Sequence, residues 1–436
     1  SIDTLKRDEK YRRYLEQCQW DVIVVDECQN VANRSKSTTS KGSQRAELAD
    51  LLAPRCDSLI LTSATPHDGR PKSFASLVQL LEPTAIADDE NYTSEEVEEF
   101  FLSRFKKDVA DQIDSGFEER VQDIEKHSAS AEEDAVFDYL DEVKFHTIGR
   151  TRGSSGMLFK TLLLKSFLSS PAAFLSTVEE RIKKKKVQDQ ESEDAAHDRD
   201  VLGQLHNLGE RIKPANFTKY QSLLQRLRGF GFDKKNCTER VVLFSERLPT
   251  LEYLEQQLKK DLNLQDDKVA VFHGNLDDQD QQGLVRDFGS KESAVRILLA
   301  SDVASEGINL HFYCHRLIHF DLPWSLITLE QRNGRIDRYG QSYPPEIYHL
   351  LTIPGNEKIA GDLRVMERLI EKEDAAHKNL GDVAWLMGLH EAEQEEEKIA
   401  KGLEDGATPE EIVPDEPETT DFMALLFGDS EEKEPE

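Results

Sequence analysis

Residues 295–341 read VRILLASDVASEGINLHFYCHRLIHFDLPWSLITLEQRNGRIDRYGQ. This stretch contains two short apolar runs, Ile297–Ala300 and 317–320, and a polar segment with Gly307 separates them. Short apolar runs bounded by polar segments are typical of buried parallel strands. The stretch therefore predicts strand ends at Ser301-Asp302 and at residue 320, in a parallel α/β layer.

The polar end of the same stretch carries three side chains that suit phosphate. On a helix, Gln331, Arg335 and Arg338 are spaced four and three residues apart, so all three would point to one side. Two permanently charged guanidiniums and an amide beside a strand end suit the γ-phosphate of a nucleotide, where charge develops during transfer. The alternative is a solvated Arg-rich helix stabilised by i,i+4 pairs.

The order of these residues resembles the motifs of a known family. Ser301-Asp302 with 307–310 resembles motif V of superfamily 2 helicases, and residues 331–338 (QRNGRIDR) resemble motif VI. The flanking Asp321-Leu322-Pro323-Trp324 and Gly340-Gln341 are similar to the Swi2/Snf2 branch, in particular its bacterial HepA/RapA-like members. That subgroup includes the Snf2-like helicase of DISARM anti-phage systems.

Upstream, two further β-branched runs, 20–25 and 58–62, are predicted to be buried parallel strands separated by a helix at 44–52. Asp26-Glu27-Cys28-Gln29 follows the first run and resembles motif II, the Walker B box. Thr62-Ser63-Ala64-Thr65 ends the second run and resembles motif III. Adjacent acidic residues at a strand end are also compatible with a plain exit from strand to loop.

The resemblance implies a role for each matching residue. Asp26 would bind Mg²⁺ through water, Glu27 would orient or deprotonate the attacking water, and Arg338 would be the principal arginine finger beside Arg335. The remaining implied residues are Asp26, Gln29, Asp302, Glu306, Gly307 and Gln331 for nucleotide binding, Thr62, Ser63, Ala64 and Thr65 for coupling, and Ser245, His273 and Asn309 for nucleic acid.

One expected element is missing from the sequence. The phosphate loop of such motors, G-x-x-x-x-G-K-[ST], does not occur in this chain. Lys41-Gly42-Ser43 lacks the first glycine, and Gly156 is followed by Met157 instead of lysine. We therefore expect the phosphate loop to lie on a preceding segment or on another chain, and this chain alone to bind ATP weakly.

Length and composition indicate the number of compact units and bear on membrane, location and zinc. A chain of 436 residues predicts two or three compact units. No apolar run is long enough to span a membrane, and no signal-peptide pattern is present, so we expect no membrane partner and a cytoplasmic location. Five scattered cysteines without CxxC spacing favour reduced thiols over zinc.

The net charge of −30 is unusual for a protein that binds nucleic acid. Residues 391–436 hold eighteen acidic and three basic residues, so half of the excess lies in this terminal segment. DNA binding would then depend on a local basic cleft and would be sensitive to salt. The apolar hexapeptide 422–427 within the acidic segment is a candidate docking element for the body or a protein partner.

These patterns predict an α/β fold with RecA-like parallel sheets: a partial first lobe at 1–115, a helical insertion and linker at 116–239, a complete second lobe at 240–390, and an acidic, largely disordered tail at 391–436. Helices are predicted at 132–146, 157–184 and 201–212.

The resemblance implies the C-terminal part of a Swi2/Snf2-like motor that uses ATP and Mg²⁺ to move on or remodel DNA, duplex in preference to single strands, with anti-phage defence as one implied pathway. The alternative is a non-catalytic subunit that supplies arginine fingers or scaffolding to a partner ATPase.

Overall fold

The computed structural model describes residues 5, 9–33, 43–63, 71–102, 119–148, 156–187, 192–234, 236–302, 308–379 and 392–414. The chain divides into two compact units. The first comprises Ser1–Asp111, Ala375–Glu395 and Asp415–Glu436, and the second comprises Gln112–Asp374 and Glu396–Pro414.

Strands and helices alternate in the first unit, as the sequence predicts. The elements of residues 9–97 are α1 (Glu9–Gln17), β1 (Trp20–Val25), α2 (Gln44–Leu52), β2 (Cys56–Leu61), α3 (Pro71–Leu81) and α4 (Ser94–Val97). β1 and β2 are parallel, with Val25 opposite Leu61. One side of the pair packs with Cys28, Ala49 and Leu77 in a small core.

The other side of this strand pair differs from the prediction. Val22, Val24 and Ile60 are 51%, 59% and 48% exposed, although the sequence predicts both strands to be buried. Successive side chains of a strand point to opposite faces, so an apolar run of this kind is expected when both faces of a sheet are covered. Within the described residues, only one face of β1–β2 has an apolar core against it.

The second unit contains a six-stranded parallel sheet. Its strands are β3 (Val121–Ser128), β4 (Val241–Phe244), β5 (Val269–Phe272), β6 (Ile297–Ala300), β7 (Arg316–His319) and β8 (Glu346–Ile353), in the order β3-β8-β7-β4-β6-β5. Every residue of β4 and β6 is buried, as expected for central strands of a sheet covered on both faces. The predicted α/β class with RecA-like parallel sheets is confirmed.

Helices cover this sheet and complete the unit. They are α5 (Ala131–Glu142), α6 (Gly156–Ser169), α7 (Pro171–Val187), α8 (Glu193–Arg211), α9 (Thr218–Gly229), α10 (Leu248–Asp261), α11 (Asp278–Phe288), α12 (Leu326–Asn333) and α13 (Glu357–Asn379). The single helical segment predicted at 157–184 is two helices, because Pro171 lacks the N–H that an uninterrupted helix would need. Ser130 and Glu133 form a reciprocal capping box at the start of α5.

Strand β3 lies inside the segment predicted to hold only helices and a linker, and that prediction is wrong for residues 121–128. All eight residues of β3 pair with β8, from Val121 opposite Glu346 to Ser128 opposite Ile353. The sequence of β3, VQDIEKHS, has few apolar residues. It is an edge strand, so polar side chains are tolerated there, and the apolar pattern that reveals a central strand is absent.

The acidic C-terminal segment is partly folded, which differs from the predicted disorder. Residues 392–414 form α14 (Ala392–Asp405) and α15 (Pro409–Ile412), and Ile399, Ile412 and Val413 are buried. A Cβ added to Gly402 would lie 2.6 Å from Ile412 Cγ1, so the glycine permits the close approach of this side chain. The hexapeptide 422–427 lies outside the described residues.

Two kinds of feature, a membrane-spanning helix and a metal-binding cluster, are absent from the described ranges. No helix there has both the length and the apolar character needed to cross a membrane. No group of three or more His, Cys, Asp or Glu side chains in those ranges is placed to hold a metal ion. All five cysteines lie in described parts of the chain, and their thiols are free.

Candidate functional site

The candidate site residues of the first unit gather where β1 and β2 end, and we name them the carboxylate cluster: Asp26, Glu27, Gln29, Thr62 and Ser63. The strand pairing continues past Val25, because Thr62 N donates to Val25 O at 2.9 Å. Cys28 N donates to Thr62 O, also at 2.9 Å. Parallel strands present their carboxyl ends at one edge, and this places the motif II and motif III residues side by side.

Side-chain hydrogen bonds connect the two motifs directly. Thr62 Oγ1 donates to Asp26 Oδ1 at 2.8 Å, and Glu27 N donates to the same oxygen at 3.0 Å. Gln29 Nε2 donates to Glu27 Oε2 at 2.7 Å, while Ser63 Oγ donates to Gln29 Oε1 at 2.5 Å. The amide at position 29 both donates and accepts, so it connects Glu27 to motif III. Ala64 and Thr65 lie outside the described residues.

Two backbone and side-chain features distinguish the centre of this cluster. Glu27 has a φ of 51°, in the left-handed region that is uncommon for a residue with a side chain and is often found at functional sites. The next residue, Cys28, is buried. Burial, followed by the charges of Glu27 and Asp26, raises the pKa of its thiol to about 11. The thiol therefore stays protonated at neutral pH and is not a nucleophile.

The candidate residues of the second unit form the arginine cluster: Asn309, Gln331, Arg335 and Arg338. Helix α12 is capped by Ser325 and ends at Asn333, so the prediction that one helix carries all three phosphate-binding side chains is wrong. Gly334 ends the helix, and the two arginines follow it in a succession of turns.

The turn nevertheless brings the predicted residues together. Arg335 Nε donates to Gln331 O at 3.1 Å, and its Nη1 donates to Ile308 O at 3.2 Å. Arg338 Nη1 donates to Asn309 Oδ1. Both guanidiniums thus contact residues of motif V. Glu306 and Gly307 of that motif lie outside the described residues.

Arg332 is a member of motif VI that has no assigned role in the sequence analysis, and it is the most buried arginine of the site. Its guanidinium donates to both carboxylate oxygens of Asp302, with Nη2 at 2.8 Å from Oδ2, and to Asp321 O at 2.9 Å. Burial alone would lower the pKa of Arg332, but the charges of Asp302 and Asp321 outweigh it and raise the pKa. Arg332 therefore joins the ends of β6 and β7.

The contacts of Arg332 affect one predicted nucleotide-binding residue. Asp302 carries a bidentate ion pair with Arg332, so its contact with a nucleotide stays a prediction. The flanking sequence offers a signal for the burial of Arg332, because Leu329 and Ile336 on either side of it are buried apolar residues.

Two of the predicted nucleic-acid residues differ in accessibility. Ser245 is fully buried, and its hydroxyl donates to Asp321 Oδ2 at 2.6 Å, which leaves no surface for the predicted contact with nucleic acid. The predicted role of Ser245 is therefore corrected to a structural one. His273 is partly exposed after β5, where its Nδ1 accepts from Asn275 N at 3.2 Å, and its role stays a prediction.

The donor set of the two clusters fits the expected cofactors. Asp26 is an exposed carboxylate, and oxygen ligands are those that Mg²⁺ prefers. Mg²⁺ commonly takes only one or two protein carboxylates and fills its remaining positions with water and phosphate oxygens, so a single aspartate suffices. Arg335 and Arg338 supply the planar cationic donors that suit a phosphoryl group.

The chain is similar to several known proteins. Residues 218–340 match the family model described as the helicase conserved C-terminal domain. The chain is 25% identical to the uncharacterized ATP-dependent helicase YqhH of Bacillus subtilis, over 97% of this chain and 71% of that protein. It is 27% identical to the RNA polymerase-associated protein RapA of Serratia proteamaculans, over 80% of this chain and 37% of RapA.

A solved structure completes the comparison. The Swi2/Snf2 ATPase core of Sulfolobus solfataricus, in complex with double-stranded DNA, matches 95% of this chain and 76% of its own, with a TM-score of 0.40 and 17% identity.

Residues 218–340 are therefore similar to a helicase C-terminal domain, and the matched relatives include an ATP-dependent helicase. The chain spans a little over a third of the length of the RapA relatives.

Proposed function

We propose that this chain forms part of an ATP-dependent Swi2/Snf2-like motor that couples ATP hydrolysis to movement along duplex DNA or to its remodelling. The observation that carries the proposal is the arginine cluster. Arg335 and Arg338 extend from one turn of the segment that matches the helicase C-terminal model, and they contact Ile308 and Asn309 of motif V. Arg338 is exposed and Arg335 is partly buried, and the planar cationic guanidinium of each suits a phosphate.

Each cluster would contribute a distinct part of the reaction. ATP with Mg²⁺ supplies the phosphoryl group to be transferred. Asp26 would hold the cation through water, and Glu27 would orient or deprotonate the attacking water. Gln331, Arg335 and Arg338 would stabilise charge on the transferring group. Such arginines contribute roughly 10³ to 10⁵ in rate in related chemistry.

Coupling between nucleotide and motion would begin at motif III. The Thr62 hydroxyl is bonded to Asp26, and the Ser63 hydroxyl reaches Glu27 through Gln29. A change in the ligands of either carboxylate would therefore change the hydrogen bonds of the residues that follow β2. This arrangement supports a coupling role for Thr62 and Ser63.

The motor would be completed by a phosphate loop outside this sequence. The chain contains no G-x-x-x-x-G-K-[ST] motif, whose amides and lysine hold the β- and γ-phosphates in such enzymes. We propose that this loop belongs to a further segment of the same protein or to a second chain, and that this chain alone binds ATP weakly.

DNA is the proposed substrate, and duplex DNA is favoured over single strands by the resemblance to the Swi2/Snf2 branch. His273 and Asn309 are the proposed contacts among the described residues. A cytoplasmic location follows from this substrate and from the free thiols, and anti-phage defence is the pathway proposed from the DISARM-like resemblance. The apolar hexapeptide 422–427 is a proposed docking element for a protein partner.

The proposal is tested by triplex displacement with the native protein that includes the phosphate loop. ATP-dependent displacement of a third strand from duplex DNA is expected, and Glu27→Gln should abolish it while the protein still binds DNA. Hydrolysis without displacement would contradict translocation. If the native protein shows neither and instead stimulates a separate ATPase through Arg338, the alternative, a non-catalytic subunit that supplies arginine fingers, replaces the proposal.

A further inference from the structure

The turn that carries the arginine cluster is short and lies on the surface. After α12 ends, Ile336 N and Asp337 N both donate to Asn333 O, at 3.1 and 2.9 Å. These two bonds fix the backbone at the base of the turn, and Leu310 N and Gln341 Nε2 hold it further along by donating to Arg335 O and Ile336 O, each at 3.1 Å. The direction of the exposed Arg338 depends in addition on what holds Asn333 and Asp337 from behind.

Asn333 is held by a fully buried pair of groups. Its Nδ2 donates to Glu373 Oε1 at 3.0 Å, and its Oδ1 lies 2.8 Å from His319 Nε2. Burial, the neighbouring His349 and the charge of Arg332 hold the pKa of His319 well below its usual range. The neutral imidazole can therefore donate through Nε2 to Asn333 and accept through Nδ1 from Arg332, whose Nη1 is 3.4 Å away.

Glu373 is in turn held by Arg120, which immediately precedes the edge strand β3. Arg120 Nη1 and Nη2 donate to the two carboxylate oxygens of Glu373 at 2.9 and 2.8 Å, and Gln122 Nε2 donates to one of them at 2.9 Å. The side chains of Arg120 and Glu373 are 2% and 0% exposed. A bidentate pair of this kind has a fixed geometry as well as a favourable energy.

Arg120 also approaches the other end of the turn. Its Nη1 lies 3.8 Å from Asp337 Oδ2, and Asp337 immediately precedes Arg338. Asp374 adds a third carboxylate at 3.2 Å from Nη2. Arg120 is thus surrounded by three acidic side chains. Asp337 belongs to the turn, and Glu373 binds Asn333, which precedes the turn.

We propose that Arg120 and Glu373 are positioning residues that set the direction of Arg335 and Arg338 by holding the turn at Asn333 and Asp337. The expected effect on catalysis rests on the proposed function. The support of the turn does not, and it can be tested in this chain alone. Burying an ion pair often brings little net stability, because desolvation offsets the attraction. A role in fixing the turn gives this pair a purpose beyond stability.

The first test measures amide hydrogen exchange in the present chain. In Glu373→Gln, an amide NH2 group replaces one of the two carboxylate oxygens that accept from Arg120. Arg120 therefore loses its bidentate acceptor, and the turn loses its support. Amides of residues 335–341 should exchange at least tenfold faster, while those of β4 and β6 are unchanged. Glu125→Gln is the matched control, since Glu125 lies on β3, which follows Arg120, and pairs with Arg226 away from the turn.

The second test uses the native protein with its phosphate loop. Glu373→Gln and Arg120→Lys should each lower kcat for ATP about tenfold while KM changes less than about twofold, because charge stabilisation during transfer is lost and ground-state binding is retained. If the native protein does not hydrolyse ATP, the proposed function fails, and hydrogen exchange still decides the positioning role. Unchanged exchange at 335–341, or an equal increase throughout the second unit, would overturn the inference.

Discussion

Arg332, at the base of the arginine cluster, is fully buried and donates to the Asp302 carboxylate and to the Asp321 carbonyl oxygen, which follow two strands of a six-stranded sheet. Asp26 and Glu27, in contrast, are exposed at the end of a strand pair with Val22 and Val24 more than half exposed on one face. Both clusters occupy the same kind of position, after parallel strands. They differ in how much of a surrounding sheet the described residues form.

The two clusters differ in how the described residues support them. The arginine cluster rests on a sheet whose central strands are buried and on a buried polar network. The carboxylate cluster has its internal hydrogen bonds, but among the described residues one face of its strand pair has exposed apolar side chains. In the proposed motor, a segment carrying the phosphate loop would cover this face and supply further ligands.

The largest expected effect concerns ATP turnover and its dependence on the arginine cluster. In the native protein, Arg338→Ala should lower ATP turnover by about 10³-fold or more, because a finger acts on charge that develops during transfer. Nucleotide affinity should change only a few-fold. Arg286→Ala, which removes an exposed arginine of α11 in the same unit, is the control and should leave turnover unchanged. Equal losses in turnover and affinity would make Arg338 a ground-state contact.

A second effect concerns the stability of the second unit, which holds the arginine cluster. Arg332→Met should lower the free energy of unfolding by ~3–5 kcal/mol, since Asp321 would remain buried without its cationic partner. Urea denaturation measures this change. Arg338→Met, at an exposed position of the same turn, should cost less than about 0.5 kcal/mol. Similar costs for the two variants would show that the buried network does not support the cluster.

A third effect compares the two sheets directly. Amides of β1 and β2 should exchange hydrogen about a hundredfold faster than those of β4 and β6 in the present chain, because local opening exposes less apolar surface in the strand pair. In the native protein the difference should shrink. Equal protection of both sheets in the present chain would mean that the uncovered face does not weaken the first unit.

The smallest effect concerns the end of the chain. Residues 415–436 hold nine acidic residues and one basic residue, and their removal should tighten DNA binding a few-fold at low salt, with less effect at high salt. The truncation begins after Pro414, because α14 and α15 precede it and Lys165 Nζ lies 2.9 Å from Glu396. Phe422→Ala with Leu426→Ala tests the proposed docking element. Unchanged DNA affinity at every salt concentration would leave the segment without this role.

Sequence patterns predict the strands well where the residues are buried on both faces. Asp302 follows β6, whose apolar run is clear and whose residues are all buried, so the position of motif V was predictable. The strand before Asp26 was also predicted from its apolar run, although Val22 and Val24 are exposed. β3 was not, because an edge strand tolerates the polar sequence VQDIEKHS. The end of α12 was not either, since Gly334 inside a helical pattern is compatible with both continuation and termination.

Side-chain networks were the least predictable part of the site. The burial of Ser245 and the ion pair of Arg332 depend on residues far apart in sequence, such as Asp321 and Asp302. The pairing of Arg120 with Glu373 spans 253 positions. Spacing along one element indicates which side chains share a face, but not which distant carboxylate meets them.

The central claim is that this chain holds the carboxylates and arginines of an ATPase site but not its phosphate loop. The most direct measurement is steady-state ATP hydrolysis by the purified chain and by the native protein with the loop, each with and without duplex DNA. We predict background turnover for the chain alone and DNA-stimulated turnover for the native protein that Glu27→Gln abolishes. Robust hydrolysis by the chain alone, lost on Glu27→Gln, would contradict the claim.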